Sequence, residues 1–174
     1  MRIQKFSKKD PIEAKTNAPV IAILADEIWR EYYTPIIGEV QVNYMLAKFQ
    51  SAEQIYSDIE NNDYVYFTAL EEKSEKSVGY CAVKPFSEYL LLSKLYIHKD
   101  FRGKGIGGSF LKEITQLCKQ EYGLDKIRLT VNKYNDDSIA VYKKMGFETV
   151  ESVKSDIGGG FFMDDYIMEL TLSA

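Results

Sequence analysis

The stretch that leaves the fold least freedom begins at residue 90. LLLSKLYI (90–97) is an apolar run of strand length, and FRGKGIGGSF (101–110) follows it with Gly103, Gly105, Gly107 and Gly108. From the loop onward Ile106, Phe110, Leu111, Ile114, Leu117 and Cys118 recur at helical spacing, while Lys112, Glu113 and Lys119 fall off that stripe. A buried strand, a glycine turn and an amphipathic helix must therefore follow one another directly. Glycines remove the Cβ atoms that would hold an anion away, and the N–H groups of a helix N-terminus point at whatever fills such a turn. Arg102 and Lys104 add formal positive charge. The loop reads as a phosphate cradle.

Which phosphate it holds is decided by what surrounds it. Gly103, Gly105 and Gly108 satisfy the dinucleotide pattern G-x-G-x-x-G, a weak signal by itself. A dinucleotide fold also needs an acidic residue about 20 positions on, closing the next strand. That strand, KIRLTV (126–131), is followed by Asn132 and carries no carboxylate. A nucleotide-triphosphate loop would need G-K-[ST] after four spacers, which is absent. The pyrophosphate of coenzyme A is the candidate that remains.

The rest of the chain predicts one domain over residues 1–174. Residues 2–6 read as a strand. Helical spacing covers 18–33, broken by Pro35 and Gly38, then 40–49, and then 52–61 behind the cap residue Ser51. The period changes at YVYFTAL (64–70) and SVGYCAV (77–83), β-rich runs around a charged EEKSEK turn. Gly123 ends the helix after the glycine loop. Asn135 caps a short helix with Asp136 and Asp137 in its first turn, Lys143 and Lys144 in its last, and Gly146 beyond. Residues 147–153 and 161–170 read as closing strands around Gly158, Gly159 and Gly160. The expectation is an α/β (α+β) domain, a mixed and mostly antiparallel sheet of about six to seven strands flanked by helices.

Composition narrows the partners. A formal net charge of −4 argues against nucleic acid, and no apolar stretch approaches a membrane span or a signal core. Cys81, Cys118 and the single histidine, His98, lack zinc-ligand spacing, so no metal is expected and two buried reduced thiols fit a cytoplasmic protein.

LYIHKDFRGKGIGGSFL (95–111) and VNKYNDDSIAVYKKMGF (131–147) together resemble the GNAT superfamily of N-acetyltransferases. The resemblance rests on a strand leading to R-G-x-G-[IL]-G and, further on, N-x-x-[AS]-x-x-[LV]-Y-x-K-x-G-F, and it covers residues 77–170. The N-terminal WREYY and YMLAKFQSAEQI and the final FFMDDYIMEL are loosely similar to bacterial diamine (spermidine-type) acetyltransferases.

That resemblance implies a fold splayed by a β-bulge at the central strands, with acetyl-CoA as cosubstrate. Leu95, Tyr96 and Ile97 would pair with its pantetheine arm, and an N–H near Ile97 would polarise the thioester carbonyl. Arg102, Gly103, Lys104, Gly105, Ile106, Gly107 and Gly108 would cradle the pyrophosphate, and Asn135 would touch the cosubstrate as well as cap its helix. Tyr142, by spacing a core aromatic beside Ile139 and Met145, would point its hydroxyl at the sulfur and protonate the departing thiolate.

The second proton has no obvious acceptor. Relatives often carry a glutamate two residues before the Leu-Tyr pair, and Ser93 stands there. Glu88 and a water chain are alternatives; His98 sits just past the strand, and the base stays unassigned. Trp29, Tyr32 and Tyr33 either wall an acceptor pocket or pack the first helix on the sheet, and Asp164 and Asp165 either attract a cationic amine or are solvated. The expected activity is transfer of an acetyl group from acetyl-CoA to a primary amine, either a small amine such as a polyamine or a peptide amine. The alternative is a CoA-binding sensor or structural subunit with little turnover, which the missing glutamate favours and the retained Tyr142 opposes. A homodimer is left open.

Overall fold

Every residue of β2 (Val65–Leu70) is buried, yet its side chains part to two different cores. Val65, Phe67 and Ala69 join a cluster with Phe110, Ile114 and Leu117, whereas Tyr66 joins one with Ile21, Ala25, Ile28 and Trp29. Period-two alternation thus makes this strand the floor of both layers. The computed structural model, which describes residues 1–173, sets β2 in a seven-stranded sheet of order β1-β2-β3-β4-β5-β7-β6. The other strands are β1 (Arg2–Phe6), β3 (Ser77–Pro85), β4 (Leu90–Ile97), β5 (Lys126–Asn132), β6 (Glu148–Gly158) and β7 (Phe161–Thr171). All neighbours run antiparallel except β4 and β5.

One face carries α1 (Pro11–Tyr32), α2 (Thr34–Ile37), α3 (Glu39–Phe49) and α4 (Ala52–Asn61). The other carries α5 (Ile106–Gln120), with the side chains of α6 (Asp136–Lys144) packed at its edge. Ser51 caps α4 through Gln54 N at 3.2 Å. The first helix is longer than its apolar spacing predicts. It begins at Pro11 instead of residue 18 and carries Pro19 in its interior. Pro11 lies in the first turn, where its missing N–H costs nothing, and Ala14 and Ala18 are buried against the sheet, offsetting the loss at Pro19.

The feature that positions the site is a fault in the ladder at β4. Its pairing with β3 slips between Ala82↔Lys94 and Val83↔Leu92, so Ser93 is the extra residue of a β-bulge. Its parallel pairing with β5 covers only Leu90↔Ile127, Leu91↔Arg128 and Leu92↔Leu129. Past Leu92 the two strands part, and Ser93–Ile97 have no ladder partner on that side. The splay expected of the central strands is present.

Candidate active site

Two cavities open at this parting. The first, about 400 Å3, lies over the glycine loop and is lined by Tyr32, Leu95, Ile97, Arg102, the loop glycines and Tyr142, among others. Gly103 and Gly105 have φ of 74° and 82°, a left-handed backbone that side chains rarely adopt. Gly108 is free of that demand, yet a Cβ there would meet nothing within 4 Å. Its bareness leaves open space beside the helix end. Gly105 caps α5 with no side-chain hydrogen bond, and the first intrahelical bond runs from Ser109 N to Gly105 O at 3.1 Å. The preceding N–H groups of Ile106, Gly107 and Gly108 therefore face the cavity mouth as orphan donors.

The cations of the loop behave differently from its backbone. Arg102 folds back on α1, pairing with Glu31 at 2.8 Å and lying 4.9 Å from the Tyr32 ring. Its Nε donates to Ile97 O at 3.0 Å, tying loop to strand. Lys104 lies over Phe101 at 4.9 Å, outside the cavity lining. Leu95 and Ile97 face this cavity, while the Tyr96 ring turns to the other face, 5.4 Å from Trp29 and 5.3 Å from Tyr80.

Tyr142 stands where the cavities meet. It lines both, as do Leu95 and Ser138, and packs edge-on against Phe147 at 5.8 Å. Burial, with Tyr33 and Tyr32 nearby, pushes its hydroxyl well above the ordinary tyrosine value, so it keeps its proton at neutral pH and is available as a donor. Asn135 carries α6 into place. Its Oδ1 accepts from Ser138 N at 3.2 Å and from the Tyr32 hydroxyl at 2.5 Å. Its buried Nδ2 has no partner among the described residues.

The second cavity, about 520 Å3, lies against the N-terminal helices. Trp29 and Tyr33, with ring centroids 4.4 Å apart, form one wall. Tyr32 goes instead to the glycine-loop cavity, so the three aromatics expected at the acceptor pocket divide between the two. Ser93 lines the second cavity, and neither Glu88 nor His98 lines either. His98 accepts from Asp100 N at 3.3 Å and caps a short turn.

Sequence reasoning missed a buried polar group in that cavity. Lys94 Nζ donates to Tyr66 Oη at 2.6 Å and Phe49 O at 2.9 Å, with the Asp58 carboxylate 3.8 Å away. Burial lowers its pKa to about 8 against the opposing pull of Asp58. The only signal was one lysine inside LLLSKLYI. Asp165 also lines this cavity, only 8% exposed, while Asp164 pairs with Lys133 at 2.8 Å. The two adjacent acids thus have opposite surroundings. Among the described residues no cluster of three potential metal ligands occurs, and no helix is long and apolar enough to cross a membrane.

Comparison with known proteins agrees with this arrangement. The sequence model of the acetyltransferase (GNAT) family matches residues 23–147. Spermidine N(1)-acetyltransferase of Thermoplasma acidophilum is 25% identical over 76% of this chain and 83% of its own. Thialysine N-epsilon-acetyltransferase of Caenorhabditis elegans is 29% identical over 64% of this chain and 68% of its own. Among solved structures, the PaiA N-acetyltransferase from Thermoplasma acidophilum in complex with coenzyme A has the same fold. It gives a TM-score of 0.73 at 23% identity, covering 98% of this chain and 99% of that one.

Proposed function

Because the chain belongs to the acetyltransferase (GNAT) family, and is thus an acetyl-CoA-dependent N-acetyltransferase, we propose how its residues divide that work and which amine it takes. Residues 1–174 act as one N-acetyltransferase domain, in the cytoplasm. The single observation that carries the assignment is that Tyr142 sits at the junction of two cavities, one over an anion cradle and one over a polar pocket.

The residues present fit coenzyme A. Orphan N–H groups at the start of α5 and the open space at Gly108 suit a pyrophosphate. The unpaired edge of β4, Ser93–Ile97, suits an extended amide-bearing arm, which would add to the sheet like a further strand. Asn135 lines the larger cavity and not the glycine-loop one, and its buried Nδ2, without a partner among the described residues, offers one more donor near Tyr142. We assign Leu95, Tyr96 and Ile97 to the arm by backbone pairing. Gly103, Gly105, Ile106, Gly107 and Gly108 hold the pyrophosphate, with Lys104 supplying charge from the rim. Arg102 acts first as the strut that ties the loop to α1 and β4.

When bound, acetyl-CoA supplies an activated acetyl group as a thioester. Tyr142 protonates the departing sulfur, and the Ile97 N–H on the splayed edge polarises the carbonyl, the next one, His98 N–H, being engaged by Val78 O at 2.8 Å. The acceptor enters the second cavity, where Trp29 and Tyr33 present aromatic faces to a cation. A small primary amine of polyamine type fits best, supported by that wall and by the spermidine acetyltransferase relative. Release of free thiol from acetyl-CoA in the presence of spermidine, 1,4-diaminobutane, L-lysine and an alanine-first peptide tests the reading. Faster release with the diamines supports it, and faster release with the peptide moves the acceptor to protein amines.

A further inference from the structure

An alkylammonium of pKa near 10.4 is only about one part in a thousand neutral at physiological pH, so an acceptor must lose a proton before it attacks. Ser93, at the bulge, has no basic group to take it. Of the ionisable side chains in the larger cavity, Lys94 is held by Tyr66 and Phe49, and Asp58 accepts from Gln54 at 2.8 Å and from Asn62 at 3.2 Å. Lys84 is a cation lying over the Tyr64 ring, and of the two carboxylates Asp165 alone is unengaged: its Oδ1 is buried and has no hydrogen-bond partner among the described residues.

We propose that Asp165 is a catalytic residue, the base that binds the acceptor's ammonium group and takes its proton. This rests on the N-acetyltransferase reading above. The backbone explains the placement. Asp165 pairs in register with Asn132 at the end of β5, beyond the point where β4 and β5 part, so it stands on the rim of the opening. Alternation along β7 sends Asp164 to Lys133 and Asp165 into the cavity that Tyr142 also lines. An unpaired buried carboxylate is costly and is found where a ligand supplies the partner.

The groups around it agree. Burial, and then the Asp164 charge, raise the Asp165 carboxyl to about 6, with Lys133 opposing, so it is ionised at neutral pH but a stronger base than a surface aspartate. Tyr33 from the end of α1 is near enough to feel its charge, and Lys154 of β6 lies over Phe162. Lys84, Lys94, Asp58, Tyr64, Tyr96 and Tyr142 share the cavity. Asp165 removes one proton from the ammonium, freeing the nitrogen lone pair. The N–C bond to the acetyl carbon forms and the C–S bond breaks, with the Tyr142 proton going to sulfur. The nitrogen's second proton returns to the Tyr142 oxygen, and Asp165 releases the first to solvent. One proton leaves per turnover.

The experiment uses the full chain, acetyl-CoA and whichever amine of the panel above gives the fastest thiol release. Steady-state kinetics from pH 5 to 10 are compared for the wild type, Asp165→Asn and Asp164→Asn, beside calorimetric CoA affinity and melting temperature. For Asp165→Asn, kcat/KM for the amine should fall about 10²–10⁴-fold at pH 7, the range for loss of an acid or base. The gap should close toward pH 10, where the amine loses its proton unaided. CoA affinity should hold, and the melting temperature should stay level or rise, since an unsatisfied charge is removed. Asp164→Asn removes a charge that helps raise Asp165, so its acid limb should move to lower pH while the loss at pH 7 stays far smaller than for Asp165→Asn. Full activity of Asp165→Asn at neutral pH, an equal deficit at every pH, a rise in KM alone, lost CoA affinity or failure to fold would each overturn the proposal. If the wild type releases no thiol with any amine, the acetyltransferase reading falls with it; if only the variants disagree, that reading stands.

Discussion

The two cavities that meet at Tyr142 are built on opposite plans. The glycine-loop cavity is drawn largely from one local stretch, residues 95–108, and is closed by Tyr32 of α1 and by α6. The larger cavity is assembled from side chains of α1, α3, α4, β3, β4, β5, α6, β6 and β7. Backbone donors at a helix end need only glycine and a helix, so any sequence with that local pattern makes the same cradle. A cavity made of side chains from nine elements changes with every substitution in them. On the proposed assignment, the cosubstrate is held by what is local and the acceptor is selected by what is distant.

The sharpest way to separate the two halves is at the residue they share. Tyr142→Phe keeps the ring against Phe147 and removes only the hydroxyl proton. kcat should fall about 10²–10⁴-fold, the usual worth of a general acid, while CoA affinity by calorimetry stays within twofold or so. Unchanged kcat with chemistry rate-limiting would return Tyr142 to a packing role and leave the cavities chemically unconnected.

The next effect belongs to the acceptor cavity alone. Lys94 is lowered from 10.5 to about 8, so the folded state binds its proton less tightly than the unfolded chain. Unfolded chains therefore hold more protons between those values, and stability gained from this group rises with pH across that window. The charged lysine costs the fold up to about 3 kcal/mol below pH 8 at 1.36 kcal/mol per unit. Relative to Lys94→Met, the wild type should gain stability in chemical denaturation between pH 7.5 and 10. A constant difference across that range would show that Lys94 is not desolvated. Using the difference cancels Tyr80 and Cys81, whose raised values act in the opposite direction.

Gly108→Val probes the cradle without touching the other cavity. Its Cβ meets no protein atom and its backbone is not left-handed, so melting temperature should change little. CoA affinity should drop about tenfold or more, since overpacking of a filled site costs about 1–3 kcal/mol. Intact affinity would move the anion away from the α5 terminus. Gly105 is the weaker probe, because its φ of 82° strains any side chain whether or not a ligand is present.

The smallest effect is expected at the aromatic wall. Tyr33→Leu should raise KM for the amine several-fold, a cation–π contact being worth about 0.5–2 kcal/mol, and leave KM for acetyl-CoA unchanged. Equal shifts in both would mean that Tyr33 supports the shared floor and contacts no acceptor.

Much of the cosubstrate half is legible in the amino-acid sequence. The strand, loop and helix at 90–120 follow one another where the apolar period changes, and the two motifs point to the same cosubstrate. Short-range interactions largely suffice there: Gly103 and Gly105 are dictated by their own backbone angles and Gly108 by open space, whereas at Gly107 a Cβ would crowd Met145 at 3.1 Å. Even so, the side-chain duties of Arg102 are not readable in this way, since Glu31 lies 71 residues away. Nor is the division of Trp29, Tyr32 and Tyr33 between two cavities, which depends on where α1 ends against β4.

The acceptor half shows the converse. Nothing in DD at 164–165 says which acid is paired, because that depends on the register of β7 against β5 and on a lysine beyond the strand end. Nothing in LLLSKLYI says that its lysine is buried; the bulge at Ser93 and the packing of α3 and α4 decide it. Local pattern settled the order of elements and the anion cradle, since propensity and periodicity act within a few residues. The tertiary structure alone settled which charges lost their water, because desolvation is imposed by whichever distant chain segments close over a group.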